Sequence, residues 1–152
     1  MLDLHAVRDI EQLKYRYVRF LDLKRWDDLA ALLSEDCVAS YAGGKLHFEG
    51  RDAIMAFLRD SLGMTTRITT HQVHHPEITM TSETEASGMW GLEDIVIDTE
   101  LSFTIRGTAI YEDEYVKVAD GWRIRRTGYT RTYEEFEPRD RPGLKITQNR
   151  FA

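Results

Sequence analysis

One cysteine, three prolines and no long apolar run limit what this chain can be. Cys37 has no partner, so no intramolecular disulfide can staple the fold, which fits a reducing compartment. No segment approaches the roughly 20 apolar residues of a helical membrane span. The charged stretch from Met1 to Ile10 lacks the apolar centre of a secretory signal. A cytoplasmic protein with no membrane partner is therefore expected. Basic surface is also scarce: the formal net charge is -6. Phosphate backbones need concentrated positive charge, so no nucleic-acid partner is expected. The local exception, Arg123, Arg125, Arg126 and Arg131, is interspersed with Thr, Gly and Tyr. No phosphate-cradling glycine loop, no Ser-His-Asp constellation and no activating context for Cys37 stand out.

What is present fits one domain with a sizeable core, since 152 residues can bury enough surface without metal or disulfides. Val7, Ile10, Leu13, Tyr17, Phe20 and Leu21 recur at spacings of three and four, which predicts an amphipathic first helix. Asp27 is a suitable N-cap for a shorter second helix through Leu29, Leu32 and Leu33. Residues 38–42 and 45–49 flank Gly43-Gly44, the signature of a two-residue hairpin turn. A third helix runs through Ile54, Phe57, Leu58 and Leu62 and stops near Gly63.

From Thr66 onward β-branched and aromatic residues replace the helical period. Four strands are predicted, at about 67–81, 85–97, 101–118 and 122–136, with an interruption at Pro76. The links between them are short enough for antiparallel hairpins, so sequential strands should be neighbours in a meander. Long strands in a small domain must twist and curl. The expected class is therefore α+β: a cone-shaped barrel in which three amino-terminal helices pack on a strongly curved, mostly antiparallel sheet. The cone domain covers residues 1–136, and 137–152 form a carboxy-terminal extension, mobile or packed on a partner.

One residue stands out against this frame. In the strand 85–97, alternation places Ala86, Gly88, Trp90, Leu92, Asp94 and Val96 on one face, and Asp94 is a carboxylate among apolar neighbours. Burying it without a partner would cost several kcal/mol, so it must be bonded, charge-paired or shifted in pKa. Alternation in Thr69 to His75 puts His71 on one face of the preceding strand, and the meander makes the two strands adjacent. A histidine oriented by a carboxylate can exchange protons near neutral pH. We expect His71 and Asp94 to face one cavity, with Asp94 polarising the imidazole. A structural polar pair in a filled core is the alternative. His74 and His75 point to opposite faces and no third ligand completes a metal set, so no metal or other cofactor is expected. Trp90, Phe103 and Tyr111 are either core residues or cavity lining.

The helix Leu-Lys-Tyr-Arg-Tyr-Val-Arg-Phe-Leu-Asp at 13–22, Trp26-Asp27, Ser34-Glu35-Asp36, Phe48-Glu49-Gly50-Arg51, Thr70-His71 and Asp120-Gly121-Trp122-Arg123-Ile124 carry a resemblance. Over about residues 5–135 the chain resembles the SnoaL-like branch of the nuclear transport factor 2-like superfamily, the cone also used by scytalone dehydratase and bile-acid 7-alpha-dehydratase. The bile-acid dehydratase pattern of Tyr, Asp five positions later, a meander His and an Asp on the next strand implies Tyr17, Asp22, His71 and Asp94 as catalytic residues. A last-strand arginine corresponds to Arg131, with Arg126 as a rival. On an ideal helix Asp22 is rotated about 140 degrees from Tyr17, so both face the cavity only if the helix ends or distorts there.

The resemblance implies a cofactor-independent lyase (dehydratase) or isomerase for a hydrophobic oxygenated molecule, such as a steroid or polyketide-like ring. His71 would take a proton alpha to a carbonyl, Tyr17 would bond the enolate, and Asp22 would orient Tyr17 or assist loss of a hydroxyl. Arg131 would bind substrate together with Trp90, Phe103 and Tyr111. Two other readings stay open: a non-catalytic binding or dimerisation module, and an epoxide-hydrolase-like site in which Asp94 works with Arg106 or Arg126. The resemblance also implies a homodimer or higher oligomer, through a sheet face carrying Thr104, Arg106, Thr108, Ile110 and Tyr129.

Overall fold

A computed structural model describes residues 3–152. The first helix, α1 (Leu4–Asp22), starts where the Asp3 carboxylate accepts from the amides of His5 and Ala6. Its buried stripe is Ala6, Ile10, Leu13, Lys14, Tyr17, Val18 and Leu21; Ile10, Leu13, Tyr17 and Leu21 are the residues predicted from periodicity, while Val7 and Phe20 are only partly buried. The helix stops at Asp22, and Lys24 then turns the chain at φ 55°. The second helix, α2 (Trp26–Ala30), differs from expectation. It begins one residue before Asp27 and is over by Ala30, because Leu33 already opens β1 (Leu33–Tyr41), where it is buried opposite Ile124.

A 3-10 turn, Ala42–Gly44, joins β1 to β2 (Leu46–Glu49) in place of the two-residue hairpin. Ala42, Gly43 and Gly44 all have positive φ, so the two glycines supply a left-handed run that few other residues adopt. Helix α3 (Arg51–Leu62) follows Gly50 and ends at Gly63 as predicted. The four remaining strands are β3 (Arg67–Met80), β4 (Glu85–Asp98), β5 (Phe103–Val118) and β6 (Gly121–Pro138). A register shift between His74 and Glu77 lies where Pro76 interrupts β3, and His75 there has φ 35°.

All six strands form one sheet in the order β2-β1-β6-β5-β4-β3. The meander β3 to β6 is antiparallel, as expected. What the hairpin logic did not predict is that β1 runs parallel to β6 and so joins the amino-terminal hairpin to the last strand. The sheet is open rather than a closed barrel, with β2 and β3 at its edges. Register shifts in the β1–β6, β3–β4 and β5–β6 pairings mark the bulges at which it bends, and helix α3 touches both β1 and β3, four strand positions apart.

The main core gathers Ile10, Leu13, Leu29, Leu33, Ile54 and Ile124 between the helices and the sheet. A smaller cluster, Trp90, Leu92, Ala109 and Tyr111, lies further along β4 and β5. Cys37 is buried, and burial with the nearby Asp113 charge pushes its thiol up to about 12, which leaves it unreactive. The carboxy-terminal segment folds back on this chain rather than projecting free. The Arg139 guanidinium bonds Thr104 Oγ1 at 2.9 Å, Asn149 bonds the Thr65 carbonyl, and the Lys24 ammonium lies over the Phe151 ring.

Candidate active site

Between the helices and the inner face of the sheet lies a chamber of about 240 Å³. Its wall is largely aromatic and aliphatic, with Tyr17, Tyr41, Phe57, Tyr111 and Tyr129 prominent. Into it project His71, Asp94 and Arg131. His71 and Asp94 are direct cross-strand partners of β3 and β4, as the alternation and meander predicted. Their electrostatic partners are not each other.

His71 is held by Asp22. The last residue of α1 sits against β3, where one carboxylate oxygen lies 2.6 Å from His71 Nδ1 and accepts from Thr69 Oγ1 at 2.8 Å. The other oxygen accepts from the His71 backbone amide at 2.8 Å. A carboxylate can only accept, so Nδ1 carries a proton, and in the neutral tautomer this selects the lone pair lies on Nε2. The helix ends at Asp22, yet the residue turns outward to the back of His71 and does not line the chamber. The expectation that Asp94 polarises His71, and that Asp22 orients Tyr17, is therefore corrected.

Asp94 belongs to Arg131. Both guanidinium Nη atoms donate to its two carboxylate oxygens, Nη2 at 3.0 Å, in a bidentate fork that suits planar groups. Arg131 is on β6 and Asp94 on β4, so the side chain crosses β5 to reach it. It crosses at Gly107, which faces Asp94 on one side and Glu134 on the other. A Cβ at position 107 would lie 3.1 Å from Arg131 Nη1 and 2.4 Å from the Tyr133 carbonyl oxygen. Glu134 Oε2 sits 3.0 Å from Arg131 Nε, so the guanidinium has a carboxylate on either side. These partners outweigh burial and raise the Arg131 pKa, which keeps it charged. Arg126 pairs with Glu114, and Arg106 with Glu135 and Glu137. Neither rival is the arginine of Asp94.

Tyr17 lies in the wall with its hydroxyl 3.2 Å from that of Tyr41. Burial drives its phenol well above the ordinary value of 10, so it is a neutral hydrogen-bond donor. Phe103 and Tyr111 line the chamber, whereas Trp90 does not. The Trp90 indole is 1% exposed, and its N–H donates to Tyr115 OH at 2.9 Å. At the rim Arg67 holds Asp98 through Nε and Nη2 and the Ser61 carbonyl through Nη1. Among the described residues no three His, Cys, Asp or Glu side chains converge as metal ligands.

Sequence reasoning missed Tyr41, Tyr129 and Gly107 as parts of the site, whereas the Arg131–Glu134 pairing is one it offered. Tyr129 and Arg131 share a face by alternation, a usable signal. It also missed a second buried ionic cluster beside the chamber. Lys14 Nζ lies 2.7 Å from Asp113 Oδ2, and both side chains are fully buried. Asp113 also accepts from Tyr115 OH and Thr127 Oγ1, each at 2.8 Å. The ammonium sits 3.4 Å from the centre of the Tyr111 ring.

Three helices packed on an open, mostly antiparallel six-stranded sheet make up the nuclear transport factor 2-like fold. The SnoaL-like domain model matches residues 3–128, and the chain belongs to that family. A protein of Novosphingobium aromaticivorans DSM 12444, provisionally assigned as a scytalone dehydratase, is 32% identical, with 87% of each chain covered and a TM-score of 0.80. A hexachlorocyclohexane dehydrochlorinase of Novosphingobium barchaimii LL02 is 16% identical over 95% of this chain and 96% of its own, with a TM-score of 0.79. The Kfla4162 protein of Kribbella flavida is 22% identical, covers 86% and 93% respectively, and has a TM-score of 0.76.

Proposed function

We propose that this protein is a cofactor-independent lyase that dehydrates a hydrophobic, oxygenated ring compound. The observation that carries the reading is the His71–Asp22 pair, which presents a basic Nε2 to an aromatic chamber. Nε2 takes a proton from the carbon next to a carbonyl, and the electron pair moves onto the carbonyl oxygen as an enolate. Tyr17, neutral and coupled to Tyr41, donates to that oxygen. Collapse of the enolate breaks the C–O bond at the adjacent carbon, and the imidazolium returns its proton to the departing hydroxyl as water. Asp22 stabilises the imidazolium throughout and holds the tautomer. Asp94 and Arg131 form the polar wall beside the reacting atoms. Isomerisation uses the same first step, with the proton returned to a different carbon. The relatives named as a scytalone dehydratase and a dehydrochlorinase support elimination over isomerisation.

The test is a panel of cyclic beta-hydroxy ketones followed by mass detection of water loss, with His71→Ala as the control. Loss of turnover with binding kept supports the assignment. Undiminished turnover in His71→Ala sinks it.

One observation favours hydrolysis as a second reading: Arg131 lies between two carboxylates, Asp94 and Glu134. Appearance of labelled solvent oxygen in the diol formed from an epoxide would select it. We further read the protein as cytoplasmic and as a homodimer or higher oligomer. The outward face of β4 and β5 exposes Met89, Ile95 and Ile110, which supports pairing there. Tyr129 does not belong to that face, because it lines the chamber, and Thr104 is buried, bonded by Arg139. Light scattering on the purified protein measures the assembly.

A further inference from the structure

Both arginines at the chamber are already matched by a carboxylate. Arg67 is held by Asp98 and the Ser61 carbonyl, and Arg131 by Asp94. Glu134 is then left over. It lines the chamber, lies 3.0 Å from Arg131 Nε and is half exposed. The Asp94–Arg131–Glu134 group therefore carries one negative charge in excess at the chamber wall. An arginine in an apolar site with one carboxylate partner can still attract a ligand anion. With two, its field is reversed for anything approaching from the mouth.

From this we infer that Glu134 is a specificity-determining residue, a charge filter that restricts the chamber to neutral ligands and rejects carboxylates of the same shape. The inference rests on the chamber being the ligand site, as the proposed function does, and it names the ligand class: an uncharged carbonyl compound without an acid group. It also explains why a site with two wall arginines need not be an anion site. Glu135, the next residue on β6, supplies the control. It carries the same charge but faces outward and pairs with Arg106.

The experiment measures binding of two isosteric probes, 2-acetylnaphthalene and 2-naphthoate, to the intact protein by calorimetry. The readout is the ratio of their dissociation constants. We expect wild type to favour the ketone by about tenfold or more, Glu134→Gln to shrink the ratio by about tenfold, and Glu135→Gln to leave it in place. Raising salt from about 0.05 M to about 1 M should also shrink the wild-type ratio, an effect that a purely packing role for Glu134 would not produce. Equal affinity of wild type for both probes, equal shifts in the two variants, or no binding of either probe to any of the proteins overturns the inference. Binding is read without turnover, so the charge filter can fail while His71 catalysis stands, and the reverse.

Discussion

Two polar clusters, one fully buried and one partly buried, lie within one small cone, and they differ in what is left open. At Lys14–Asp113 the carboxylate receives an ammonium, a phenol and a threonine hydroxyl, and both charges are sealed from solvent and from the chamber. At His71–Asp22 the carboxylate is filled while the imidazole keeps Nε2 directed to no protein partner. The more deeply buried pair ties α1 to β5 and β6, and the less buried pair leaves a ring nitrogen without a protein partner on a residue that lines the chamber.

The largest expected effect sharpens that contrast from the chamber side. His71→Ala should lower turnover by about 10² to 10⁴-fold while the thermal midpoint barely moves, as steady-state kinetics and calorimetry on one preparation would show. Lys14→Met attacks the other cluster and should do the opposite. It strands the Asp113 charge and should cost about 3–5 kcal/mol of stability in denaturant titration. Adding Asp113→Asn should restore much of that loss, and failure to do so would show that the charge pair is not what the fold depends on.

Gly107→Ala tests the crossing of Arg131. The added methyl meets the Tyr133 carbonyl and the guanidinium, so we expect about 1–3 kcal/mol of destabilisation and a rise in KM. Unchanged values of both would mean that Arg131 has room to move aside. The smallest effect belongs to the rim. Burial raises the Asp98 pKa, but the Leu101 amide, the Arg67 guanidinium and the Glu100 amide outweigh it and hold the carboxyl below its ordinary 3.8. A depressed carboxyl contributes stability above its unfolded value and loses it as pH falls through the folded value. Asp98→Asn should therefore cost about 1 kcal/mol at neutral pH, with the two stability curves converging below about pH 4. Parallel curves down to acid pH would contradict the ion pair.

Much of this was legible because alternation and helical period report sides. Ala86, Gly88, Trp90, Leu92 and Asp94 are all buried on the inner face of β4, and the meander set His71 opposite Asp94. Sides are not partners, however. Asp22 reaches His71 only because α1 stops above β3, a packing fact with no local signature. The same alternation marks Tyr111, Asp113 and Tyr115, but Glu112 and Glu114 make that stretch read as a solvated acidic run. Lys14 sits on the core stripe of α1 beside Leu13, but a lysine gives hydrophobic periodicity no signal. Gly107 gave no signal, because the need for a bare position arises from a side chain two strands away.

The parallel seam between β1 and β6 has a consequence for how this molecule comes into being. Val38 lies beside Arg126, and Ser40 beside Gly128, contacts that cannot form until β6 has left the ribosome. Closing so long a loop is slow, and the strand made last also delivers Arg131. During synthesis, then, the chamber closes only after β6 is made, and nascent chains halted short of Gly121 should be digested readily by protease while chains that include β6 resist.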